Sequence, residues 1–204
     1  MTSSLPSQDH GHGSAPGGGH GMHAKHNLTG FIIFLLSESV IFLAFFSGYA
    51  MLKLGALDWL PPGVEGLEWQ TPLINTIVLV SSSGTIYLAE REMARHNIWG
   101  FRAWWLLTMA LGAYFLWGQA VEWSGLKFGF TTGTFGGTFY LLTGFHGLHV
   151  LTGVLLMALM LGKSFIPNNY KGGEQGVQAT SLFWHFVDVI WIILFVLLYV
   201  WQRS

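Results

Sequence analysis

LTGFIIFLLSESVIFLAFFSGYAML, residues 28–52, contains a single formally charged side chain, Glu38. A hydrocarbon core of roughly 30 Å takes about 20 consecutive apolar residues in a helix, so this stretch is long enough to cross a bilayer. Backbone N–H and C=O groups find no water there, which leaves two spanning structures: an α-helix or a closed barrel. A barrel strand is about 10 residues long and alternates apolar with polar side chains. The run from Leu28 to Leu52 is continuous and far longer, so it reads as a helix.

Working outward from it, four more stretches have the same character. Pro72 to Ala89 has no charge, and Ala103 to Trp123 has none until Glu122. Gly136 to Leu161 carries only His146 and His149, and Ala179 to Trp201 carries His185 and Asp188. Pro6, Pro16, Pro61, Pro62 and Pro167 fall in the tail or connections, and Pro72 at a span start, where a helix tolerates proline best. Of the 204 residues 51% are hydrophobic and 9% charged, against about a quarter charged in soluble domains. The expected fold is therefore an all-α membrane protein, a bundle of five transmembrane helices over 27–204 (spans 28–52, 72–89, 103–123, 136–161 and 179–201). The absence of Cys excludes disulfides and Cys-ligated zinc or iron–sulfur sites. A net charge of −1 gives no reason to expect nucleic acid as a partner.

Residues 1–26 are of a different composition. Rich in Gly, His and Ser (HGHGSAPGGGHGMH, residues 10–23), they read as a flexible N-terminal tail without the apolar core of a secretory signal. Orientation follows from the basic residues. Lys25, Arg91, Arg95, Arg102, Lys163 and Lys171 fall on one side, and Lys53, Lys127 and Arg203 on the other. The richer side is normally cytoplasmic, which puts the N-terminus in the cytoplasm and the C-terminus outside. Trp99, Trp104 and Trp105 are then expected as anchors at the inner interface, with Trp59, Trp69, Trp123 and Trp201 at the outer one.

Ionisable groups inside the spans carry the functional information, because each costs about 2.5–3.5 kcal/mol at mid-bilayer even on the lenient insertion scale. Glu38 lies near half depth between Ser37 and Ser39, with no evident basic partner in another span. It reads either as a proton-relay carboxyl or as a neutral carboxyl bonded to a neighbouring helix or a lipid headgroup. His146 and His149 share one helix face by their i, i+3 spacing, and His185 and Asp188 repeat it on the fifth span. Two such faces in contact would make either a metal site or a hydrogen-bonded network in which Asp188 binds a histidine of the fourth span. Gly144 and Gly147 would allow the close approach. Glu122, beside Gln119 and Trp123, is expected to snorkel to the interface. Phe42, Phe45 and Phe46 are expected to face lipid or a partner. No nucleotide loop, nucleophile triad or HExxH pattern is present, so no catalytic residue is assigned.

The motifs have a family likeness. TGFHGLHV (143–150) followed by SLFWHFVDVIW (181–191) resembles the signature of subunit III of the haem–copper oxidases. LLSESVIFLAFFSGY (35–49) resembles that family's helix with a buried carboxylate, and PLINTIVLVSSSG (72–84) its next helix. The likeness runs from about His26 to Arg203, in the shorter five-helix bacterial form. It implies a non-redox subunit packed on subunit I in a complex that also contains subunit II. Haem and copper are expected in those partners, and no metal or other cofactor in this chain. The resemblance further implies structural phospholipid in a V-shaped cleft and support of proton uptake and turnover durability. By position Glu38 matches the carboxylate that reacts with carbodiimides. His146, His149, His185 and Asp188 match buried polar positions that are structural rather than metal ligands. The likeness is nearer the cytochrome c branch than the quinol branch, making cytochrome c the expected donor to the complex. The expected location is a bacterial cytoplasmic membrane, or a thylakoid membrane for a cyanobacterial source. A stand-alone proton-coupled transporter is the remote alternative, weakened by an odd helix count without repeats.

Overall fold

The computed structural model describes residues 19–61, 63–64, 66–166 and 174–201. Among these every regular element is helical, with no strand. Five helices follow one another: α1 (Gly19–Gly55), α2 (Gln70–Ala94), α3 (Ile98–Gly125), α4 (Gly133–Lys163) and α5 (Glu174–Phe195), the last ending in a π-helical turn, Val196–Val200. Each α-helix starts before its apolar run, because extending a nucleated helix costs little per residue. The largest difference is at α1, where 19–26, expected as tail, have helical backbone. Residues 1–18 of that tail, with His10 and His12, lie outside the described residues.

Four segments are long and apolar enough to cross a membrane: Leu28–Gly55, Gln70–Ala94, Gly133–Lys163 and Gln175–Val200. The remaining helix, α3, has 28 residues and is rich in Trp and Gly. Its place is set by packing, since it contacts α2 and α4 along its length, from Thr108 and Trp105 to Phe115 and Gly118. A helix held alongside two spans crosses where they cross.

Between α2 and α3 the chain turns in three residues. His96 takes a left-handed conformation (φ 58°) just past α2, where such a residue commonly ends a helix. Asn97 then caps α3, its Oδ1 accepting the Gly100 N–H at 3.2 Å. So short a connection makes α2 and α3 antiparallel neighbours.

At the core, α5 packs against α2 and α4 through Trp184 and Trp191, both fully buried. Trp184 fits because the facing helices carry no side chain there. A Cβ on Gly112 of α3 would come within 2.5 Å of its ring, and one on Gly153 of α4 within 2.7 Å. The close approach thus uses Gly112 and Gly153. Gly144 lies against Trp123, and Gly147 meets nothing within 4 Å.

Two sequence expectations about aromatic residues are corrected. Phe42 is buried and packs on Phe145 and His149 with centroids 5.1 and 5.0 Å apart, while Phe45 and Phe46 are partly buried. The exposed face of α1 is mainly aliphatic instead, with Ile33, Leu36, Val40, Leu43, Met51 and Leu54 at a helical repeat beside one exposed ring, Phe34. Trp105 is no interfacial anchor: it is fully buried and donates from Nε1 to the Met157 carbonyl at 2.9 Å. A buried indole N–H usually finds a partner, and beside Met157 of α4 that partner is the backbone carbonyl.

Candidate functional site

Polar groups meet at several helix contacts inside the bundle. Between α1 and α4, Oε2 of Glu38 is 3.1 Å from Nε2 of His149. His149 Nδ1 is 2.8 Å from the Phe145 carbonyl one turn earlier. A carbonyl has no proton to give, so Nδ1 carries the hydrogen and donates it. Nε2 therefore faces Glu38 across one shared proton. Either imidazolium donates to carboxylate or carboxyl donates to imidazole; in both cases the pair is electrically neutral overall. This neutrality is what makes the two groups tolerable at this depth.

A second cluster joins α2 to α5. The Ser83 hydroxyl donates to Oδ2 of Asp188, and its oxygen is 3.0 Å from Nδ1 of His185. With its one proton committed to Asp188, Ser83 accepts from His185 Nδ1–H. The order His185, Ser83, Asp188 follows from donor counting. Around it, Trp184 Nε1 donates to Ser82 Oγ at 2.7 Å and Trp191 Nε1 to Thr76 Oγ1 at 2.9 Å. Thr85 on α2 meets Thr108 on α3 at 2.7 Å. The hydroxyls of α2 thus bind two neighbouring helices, a role that its SSS run in an apolar span could have signalled.

His146 belongs to neither cluster. It is fully buried, and neither ring nitrogen has a hydrogen-bond partner among the described residues. Its ring lies 4.9 Å from that of Trp191 and 5.7 Å, edge-on, from Phe115. It packs as an aromatic plate. The four polar residues of the fourth and fifth spans are consequently divided. His149 bonds Glu38 and Asp188 bonds Ser83, in place of the expected direct bond between Asp188 and a histidine of α4. The reason is register: α2 puts a serine between the helices, and α1 supplies the carboxyl. Among the described residues no three His, Asp or Glu side chains converge as a metal site.

Glu122 also differs from expectation. Its side chain turns inward and accepts from Tyr199 Oη at 2.7 Å and from Gln119 Nε2 at 3.3 Å. Tyr199 lies in the π-helical turn that ends α5. Trp123 packs edge-on against Tyr140, centroids 5.1 Å apart. A cavity of about 920 Å³ adjoins Glu122, between the α1–α2 and α3–α4 connections.

Cations tie the helix ends together. Arg102 of α3 donates from Nε and Nη2 to Ser164 Oγ and O, at 3.1 and 2.5 Å, which caps the C-terminus of α4. Its guanidinium also lies 4.1 Å from the Phe165 ring centroid. At the opposite end Lys53 of α1 donates to the Trp201 carbonyl and sits 4.2 Å over its ring. Both place positive charge where a helix dipole is negative. These tethers were not foreseen, since Arg102 and Lys53 served only the count of loop charges.

The fold and these contacts define a polytopic helical membrane subunit whose interior polar groups are spent mostly on one another. The sequence model of the family described as "Cytochrome c oxidase subunit III" matches residues 4–203. The chain belongs to that family, and is thus a subunit of an oxidase complex with other oxidase subunits. It is 41% identical over 182 residues to cytochrome c oxidase subunit 3 of Thermostichus vulcanus, covering 89% of this chain and 90% of the relative. The same subunit of Synechocystis sp. is 41% identical over 187 residues, covering 90% and 80%. That of Lumbricus terrestris is 36% identical over 178 residues, covering 84% and 69%.

Proposed function

We propose that the chain is the non-redox core subunit of a proton-pumping cytochrome c oxidase. It packs on subunit I within a complex that includes subunit II, holds structural phospholipid, and supports proton uptake and turnover stability. Haem and copper reside in the partner subunits, and cytochrome c supplies the electrons. The N-terminus faces the cytoplasm, in a bacterial cytoplasmic or thylakoid membrane.

The observation that carries this reading is the Glu38–His149 pair. The one shared proton can move between carboxyl and imidazole while the pair stays neutral, so neither position leaves a net charge in the membrane. Such a pair is suited to passing one proton on as another arrives, beside a partner that consumes protons, and to holding α1 on α4 during turnover. His185, Ser83 and Asp188 are the structural counterpart, joining α2 to α5.

The test is purification through a tag on this chain. The expected product shows a haem spectrum from a partner and oxygen consumption with reduced cytochrome c. Oxidation of quinol alone would replace cytochrome c by quinol as donor. Haem bound to the isolated chain, or ion flux through it, would overturn the proposal.

A further inference from the structure

Two amide side chains on neighbouring helices, Asn75 of α2 and Gln119 of α3, are almost wholly buried, at 3% and 5% exposure. Gln119 donates from Nε2 to Oε2 of Glu122 at 3.3 Å, and that bond turns its Oε1 away from the carboxylate. Among the described residues Oε1 of Gln119 accepts from no donor, and Nδ2 of Asn75 finds no acceptor. Most buried side-chain polar atoms have a protein or water partner. One helix therefore holds a spare donor and the other a spare acceptor.

Their surroundings bring the two together. The Asn75 amide lies directly against α3 at Gly118, where a Cβ would meet both Nδ2 and Oδ1 at 2.6 Å. Gly118 precedes Gln119, so both amides sit at one level of the α2–α3 contact. That level lies just inward of the 920 Å³ cavity, whose wall includes Thr71 and Pro72 of α2 and Glu122 of α3. Asn75 is one helical turn from the first two, and Gln119 one turn from the last. Glu68, Glu122 and Lys127 put three charged side chains in the wall, a lining suited to water.

The spare atoms select the ligand. A cation would be repelled by the Asn75 N–H, and an anion by the Gln119 carbonyl oxygen. What bridges them must be small and neutral, and must both accept and donate. We propose that one ordered water molecule is bound between α2 and α3, accepting from Asn75 Nδ2 and donating to Gln119 Oε1. It is the inner end of a hydrogen-bonded file that enters from the cavity through Glu122 and Gln119. The inference goes beyond the proposed function and holds whichever electron donor the complex uses.

The test is a cryo-electron microscopy map of the purified complex, sharp enough to show ordered water. One density peak is expected about 2.7–3.2 Å from both Asn75 Nδ2 and Gln119 Oε1. Asn75→Leu keeps a branched side chain and removes the donor. It should lose that peak while Gln119 and Tyr199 still bond Glu122. A direct bond between the two amides overturns the site, as does a peak that touches only one of them. A peak unchanged in Asn75→Leu overturns it too. Should Asn75→Leu fail to assemble, the map of the unsubstituted complex decides alone.

Discussion

His149 of α4 donates from Nδ1 to its own helix, at the Phe145 carbonyl, and presents Nε2 to the carboxyl of Glu38 on α1. The backbone bond settles the tautomer, and the tautomer settles what the carboxyl must do. Two ionisable residues 111 positions apart are thereby made one neutral unit.

Glu38→Gln should preserve the contact, because a side-chain amide can donate to Nε2. Glu38→Ala should cost about 0.6–2 kcal/mol, the range for an intramembrane hydrogen bond. Thermal unfolding of the purified complex compares the two. The double variant Glu38→Ala with His149→Ala should cost less than the sum of the single changes. A strictly additive result would deny the pair.

Ser83→Ala removes the hydroxyl between partly buried His185 and buried Asp188 and leaves both short of a partner. A loss of about 1–3 kcal/mol is expected. By contrast, Asp188→Asn and His149→Gln should add within about 0.5 kcal/mol, because their partners are different residues. Coupling between those two would restore the direct Asp188–histidine bond that the sequence suggested.

Gly153→Ala should destabilise the bundle by about 1–3 kcal/mol, since its methyl group would meet the Trp184 ring at 2.7 Å in a filled core. Gly147→Ala, on the same helix and facing open space, should be neutral or slightly stabilising. Melting temperatures in one detergent separate the two.

Arg102→Lys should not rescue Arg102→Ala. The guanidinium donates through two nitrogens to two atoms of Ser164 and lies on the Phe165 ring, a planar geometry an ammonium cannot copy. A loss of about 1.5–3 kcal/mol is expected for either change. Faster proteolysis at residues 164–166 would be the local signature, and a Lys variant cleaved no faster than the unsubstituted chain would refute it.

What the sequence by itself determined is the set of spans, because hydrocarbon demands long uncharged helices and the chain supplies them between its prolines and charges. Family membership was also legible, in TGFHGLHV, SLFWHFVDVIW and the carboxylate of LLSESVIF. Even the candidate residues were visible, since a costly group in lipid stands out: Glu38, His146, His149, His185 and Asp188. What only the tertiary structure decided is which of them meet. Spacing along a helix places two residues on one face but says nothing of the neighbour or its register. That is why Glu38 acquires His149, Asp188 turns to Ser83, His146 packs as an aromatic ring, and Glu122 turns from the interface to Tyr199. A hydrogen bond acts over about 3 Å, roughly half the pitch of a helical turn, and for α5 that precision comes from the packing of Trp184 against Gly112 and Gly153.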